Sequence, residues 1–87
     1  MALIGTSGLT EEGDLVDFDA DEVLVARRII RAARRVVLLA DATKIGRSAP
    51  IRIAGIDAIH HLVTDRLTSP RLRALLMAKG VDLTEAG

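Results

Sequence analysis

Asp41 and Lys44 are the residues of this chain best placed to do chemistry. They close the stretch Arg35-Val36-Val37-Leu38-Leu39-Ala40-Asp41-Ala42-Thr43-Lys44-Ile45-Gly46, where an apolar run meets an acid, a small polar pair, a lysine and a glycine. The run is too short for a helix of its own and is bounded by charge. It reads as a strand buried on both faces, as in a parallel sheet. Open parallel sheets bind ligands beyond the carboxyl ends of their strands. An ammonium there offers a point charge to a phosphate or sugar carboxylate, and a carboxylate accepts hydrogen bonds from sugar hydroxyls. The pair therefore suits a polyhydroxylated, anionic small molecule. The structural alternatives are a solvated Lys44, or one paired with Asp41, and an Asp41 that caps the next turn through the N–H groups of its own loop.

A second candidate is Gly5-Thr6-Ser7-Gly8. Its backbone N–H groups and two hydroxyls can face the same pocket, or it can be an ordinary strand-end turn. Gly46 suits a tight or left-handed turn and receives no ligand role. His60 and His61 would point to opposite sides of a strand, and the chain has no other histidine, so no metal site is expected.

The 87 residues make one small domain at most. Hydrophobic content is 49% and charged content 28%, an ordinary globular balance. Phe18 is the only aromatic residue, so the core must be aliphatic and there is no platform for stacking the bases of a single strand. Without cysteine there is neither a disulfide framework nor a thiolate metal site. No apolar run approaches the roughly 18 residues of a membrane span, and no secretory signal pattern is visible. A cytoplasmic protein is the default expectation. Net charge is zero but unevenly spread. Residues 1–22 hold seven acids and no base, and all twelve bases follow. Acids before a helix and arginines further along it suit the helix dipole. An anionic partner is the alternative.

The elements that must position these residues follow from pattern. Ala2-Leu3-Ile4 is a short strand ending in the 5–8 turn, and residues 9–19 read as polar and irregular with a turn at Gly13. Asp19 or Asp21 caps a helix over about 20–34. Val23, Ala26, Ile30 and Ala33 line its apolar face, widened by Val25, Ile29 and Ala32. Arg27, Arg28, Arg31, Arg34 and Arg35 are expected on the opposite face, solvated or at a subunit contact. Val36-Val37 returns the chain to a strand. Pro50 precedes a short strand at Ile51-Arg52-Ile53, of edge type. Residues 55–58 can form one helical turn, and Leu62-Val63-Thr64 forms another strand. Ser69-Pro70 starts a second helix that Gly80 ends. Val81-Asp82-Leu83 is the last strand. This alternation predicts an α/β fold, a mainly parallel sheet flanked by helices. A strand entered almost at the first residue suggests a partial domain whose front half is missing.

These residues resemble the C-terminal sensor domain of DeoR-type bacterial transcriptional repressors. The resemblance rests on Ile4-Gly5-Thr6-Ser7-Gly8-Leu9, on the apolar strand closing in Ala40-Asp41-Ala42-Thr43-Lys44-Ile45-Gly46, on Arg47 to Ala54, and on Leu62-Val63-Thr64-Asp65. It covers about residues 2–83, and His60-His61 departs from its pattern. It implies the second half of a Rossmann-like sugar-phosphate sensor, related in fold to ribose-5-phosphate isomerase and CoA transferases. The winged-helix DNA-binding domain would lie outside this chain. Ribose-5-phosphate isomerases carry Gly-Ala-Asp-Glu where this chain has Gly5-Thr6-Ser7-Gly8. Ser7 and Gly8 cannot serve as a carboxylate base, which favours sensing over turnover.

The expectations are thus a phosphorylated sugar or related metabolite near Lys44, Asp41 and the Gly5, Thr6, Ser7, Gly8 turn, with no cofactor and no catalytic residue. Binding would act allosterically on DNA affinity, and a homo-oligomer would cover the sheet edge and apolar surface left bare. An isomerase-like fragment and a module that only mediates assembly are the alternatives.

Overall fold

A computed structural model describes residues 1–86. The chain enters extended backbone at once as β1 (Ala2–Gly5). The segment expected to be irregular instead forms two short strands, β2 (Gly8–Leu9) and β3 (Asp14–Asp17), paired antiparallel around a turn at residues 11–13. The acids of residues 11–19 mask this pairing in the sequence, since only Leu9, Leu15 and Val16 carry its apolar signal. Asp19 then caps α1 (Ala20–Ala32), accepting from the N–H groups of Asp21 at 2.9 Å and Glu22 at 3.3 Å. The helix ends two residues earlier than expected, and β4 (Val36–Leu39) follows.

Beyond a 3-10 turn at Ala42–Lys44 lies β5 (Ile51–Gly55). A second 3-10 turn, Ile56–Ala58, leads to β6 (His61–Thr64). Ser69 caps α2 (Pro70–Ala78) through the Leu72 N–H at 3.1 Å, and β7 (Asp82–Glu85) closes the fold.

Four strands form a parallel sheet in the order β1-β4-β6-β7. The other three make a separate antiparallel sheet, β2-β3-β5, with β5 at its edge. The parallel strands are added in one direction. Right-handed crossovers that step one way deposit their helices on a single face. Accordingly Val23 and Ala26 of α1, Leu72 and Leu76 of α2, and the sheet residues Ile4, Leu38 and Leu62 share one buried cluster. Register aligns Ile4, Leu38, Leu62 and Leu83 in a row across that face.

The opposite face is only partly shielded, which corrects the expectation of a strand buried on both sides. Leu3 is 58% exposed and Leu39 45%, although Val37 between them is buried. Arg27 departs from expectation too. It does not join a solvated arginine face, because its guanidinium donates to the carbonyls of Ile53, at 3.1 Å, and Arg52, tying α1 to β5. Arg35 pairs with Asp82 at 3.5 Å.

Candidate functional site

The turn after β1 and the loop after β4 lie side by side at the carboxyl ends of parallel strands. Gly46 donates its N–H to the Leu9 carbonyl at 2.7 Å, and Leu9 bridges to Ile45. Gly46 has φ of 79°, the left-handed conformation that glycine adopts without strain. Gly8 sits so close to the loop that an added Cβ would stand 2.5 Å from the Arg47 carbonyl oxygen. The fold therefore does bring together the two stretches singled out in the sequence.

Within that frame Asp41 caps the 3-10 turn. Its Oδ1 accepts from the Thr43 N–H at 2.9 Å and from the Thr43 hydroxyl. The Thr43 hydroxyl lowers the Asp41 carboxyl most; burial, next in size, acts upward, and the Thr43 N–H and the Lys44 charge lower it further. Asp41 thus stays ionised and remains exposed. Lys44 is half-buried, and among the described residues no ion pair engages it.

The hydroxyls of the first turn point inward. Thr6 donates to the carbonyls of Val16, at 2.8 Å, and Gly8, at 2.9 Å. Ser7 donates to Asp17 Oδ1 at 3.0 Å. Asp17 is a buried carboxylate that the sequence reading passed over as part of an irregular stretch. The same oxygen accepts the N–H groups of Phe18 at 2.7 Å and Asp19 at 3.3 Å. Burial works to raise the Asp17 carboxyl, but the donors of Asp19, Phe18 and Ser7 outweigh it, and the net direction is downward. The turn is thus held by an internal anion, and its hydroxyl protons are spent on the fold. Only the position of Asp17, two residues before a helix cap, could have signalled this.

Asp65, read from sequence simply as a strand end, fixes the other loop. Its Oδ1 accepts the Ala42 N–H at 2.6 Å and the Arg66 N–H at 2.9 Å. The segment after β6 is held in turn by Arg73, which donates to the Leu67 carbonyl at 2.9 Å and to Glu85 at 2.6 Å. Glu85 also accepts the Leu67 N–H at 3.2 Å. The Arg73 bond is the main cause of a lowered Glu85 carboxyl, followed by the Leu67 N–H.

Of the predicted set, only Gly5 lines a cleft of about 460 Å³ between β1 and α1. Asp41, which is exposed, and Lys44, which is half-buried, stand outside it, beyond the end of β4. His60 accepts the Val36 N–H on Nδ1 at 2.9 Å, and His61 Nε2 lies 2.7 Å from the Thr84 hydroxyl. Both histidines are accounted for by the fold, and the described residues contain no group of three metal-ligating side chains. No described helix is long and apolar enough to cross a membrane.

The arrangement offers charge and hydrogen bonds and no nucleophile–base pair.

Residues 1–66 match the family model of the DeoR C terminal sensor domain. The chain is 37% identical over 82 residues to the HTH-type transcriptional repressor GlcR of Bacillus subtilis, covering 94% of this chain and 31% of that protein. It is 36% identical over 63 residues to the glycerol-3-phosphate regulon repressor of Escherichia coli, covering 72% of this chain and 25% of that protein. With the HTH-type transcriptional regulator GlpR of Haloferax volcanii it shares 27% identity over 85 residues, 98% of this chain and 33% of that protein. The chain thus spans a quarter to a third of the length of these relatives.

Proposed function

The chain belongs to the family of DeoR C-terminal sensor domains, and on that premise we propose that it supplies the effector-sensing half-domain of a transcriptional repressor. The effector is a phosphorylated sugar or related metabolite. One relative is named for a phosphorylated compound, glycerol 3-phosphate, which supports that class. The ligand would sit beyond β4, its phosphate on Lys44 and its hydroxyls within reach of Asp41. The Gly5, Thr6, Ser7, Gly8 turn would bound the site through its backbone, because its hydroxyl protons are already engaged.

The observation that carries this reading is Lys44 itself. It is a half-buried lysine that no ion pair among the described residues engages, on a loop held from both sides by the Gly46–Leu9 and Asp65–Ala42 hydrogen bonds. A binder needs such a pre-set charge, since fixing a loose loop on binding would cost affinity. The DNA-contacting part is assigned to polypeptide outside these residues, in the cytoplasm of the cell. Ligand binding changes DNA affinity only if the two arrangements of the repressor bind the ligand unequally. Copies of the chain associate with one another in this reading.

Titration calorimetry against sugar phosphates and their unphosphorylated parents tests it. Phosphorylated ligands should bind and the parents should not. Lys44→Ala should weaken binding by about tenfold or more, the worth of a charge-assisted hydrogen bond. The unfolding midpoint should not move. Unchanged affinity in that variant, or conversion of ribose 5-phosphate, would overturn the proposal.

A further inference from the structure

Helix α1 carries opposite charges at its two ends and exposed apolar residues between them. Asp21 and Glu22 lie in the first turn. Arg28 and Arg31 lie two to three turns on, exposed, and no ion pair among the described residues engages any of the four. Leu24 and Val25 stand in the middle, 54% and 56% exposed. Asp21, Val25, Arg28 and Ala32 are spaced by four, three and four residues, so they form one stripe on the outward side of the helix. Beside that stripe runs the cleft of about 460 Å³, walled by Leu3 and Ile4 of β1 and by Val25, Ala26 and Ile29 of α1.

We propose that this stripe and cleft form a self-complementary interface with a second copy of the chain, α1 packing antiparallel on its twin across a twofold axis. Only the antiparallel order matches the charges. With Leu24 of one copy opposite Val25 of the other, Asp21 falls opposite Arg28. Each contact then occurs twice, as an isologous interface requires. Parallel packing would set acid against acid and arginine against arginine, which disfavours it. The aliphatic centre meets the partner's cleft and the ion pairs form the rim, the usual division between affinity and register. The inference deepens the association stated above and is independent of which ligand binds.

The test is sedimentation analysis of the 87-residue chain and of charge variants over a wide concentration range, with circular dichroism confirming the fold of each. The parent chain should dimerise. Asp21→Arg and Arg28→Asp should each weaken dimerisation by roughly tenfold, because like charges then face each other twice. Combining the two in one chain should restore it, since the pairs re-form with reversed polarity. Val25→Lys, at an exposed position that folding tolerates, should give a monomer. A monomeric parent would remove association altogether. A parent dimer that none of these variants weakens would leave association standing and refute this face. Single losses without rescue in the double variant would refute the antiparallel register.

Discussion

Replacing Asp17 with Asn isolates the worth of one charge in the wall of the candidate site. One carboxylate oxygen accepts from the Phe18 N–H at 2.7 Å, the Ser7 hydroxyl at 3.0 Å and the Asp19 N–H at 3.3 Å. Hydrogen bonds to an ionised group contribute about 1.5–3 kcal/mol each, and neutral ones about 0.5–1.5 kcal/mol. Asparagine keeps an oxygen there but not the charge. Counting only the two shorter bonds, Asp17→Asn should cost about 1–3 kcal/mol. Asp17→Ala should cost more, because it leaves buried donors unmet. A domain of this size is stable by only about 4–13 kcal/mol, so either loss is readily measured.

The pH dependence supplies a separate check. The folded Asp17 carboxyl is held below the ordinary value of 3.8. A lowered folded value stabilises above the unfolded value of about 3.9, and that stabilisation disappears as pH falls through the folded value. Urea unfolding followed by circular dichroism is the assay, as the chain has neither Trp nor Tyr to report by fluorescence. The parent should lose stability on acidification below about pH 4, and the Asn variant should lose less over the same window. Equal stability at neutral pH together with an identical acid profile would refute the role given to Asp17.

Other perturbations address the core and the loops. Leu38→Ala, at a fully buried residue of the second strand in the parallel sheet, should destabilise by about 2–5 kcal/mol in the same urea assay. Gly8→Ala should cost about 1–3 kcal/mol through the clash with the Arg47 carbonyl, and should also weaken binding of any ligand that bridges the two loops. Glu85→Gln should loosen the segment after β6, read as faster tryptic cleavage after Arg66. Because the Glu85 carboxyl is lowered in the fold, the parent's resistance should hold at neutral pH and fade on acidification through that lowered value, measured with an acid-tolerant protease.

The parallel sheet was legible because its strands are aliphatic runs with punctuation. Val36–Leu39 stops at Asp41, Leu62–Thr64 stops at Asp65, and Ser69-Pro70 marks a helix start that the structure shows to the residue. β2 and β3 were not legible. Two residues of strand are too few for a periodic signal, and β3 begins and ends in aspartate, a residue depleted in strands. Asp17 tolerates that position because donors from three residues meet its carboxylate; Phe18 and Asp19 follow it directly, but Ser7 comes from ten residues away, which local pattern does not show. Arg27 misled for a similar reason, since helical spacing alone cannot show that β5 offers two carbonyls within its reach. The neighbourhood of the 5–8 turn and the 41–46 loop was legible from the rule about strand ends. The inward direction of the Thr6 and Ser7 hydroxyls was not, because it depends on β3 lying beside the turn.

The order of the parallel strands bears on how the chain acquires its shape during synthesis. Residue 2 of β1 pairs with residue 36 of β4, and residue 39 of β4 with residue 63 of β6. Within these residues β1 must therefore wait for its β4 partner until a helix and a small hairpin have emerged behind it. Closing such long loops delays the first productive encounters. Until then the nascent chain presents an adhesive edge, and whatever shields that edge in the cell governs how much of the product survives as native protein.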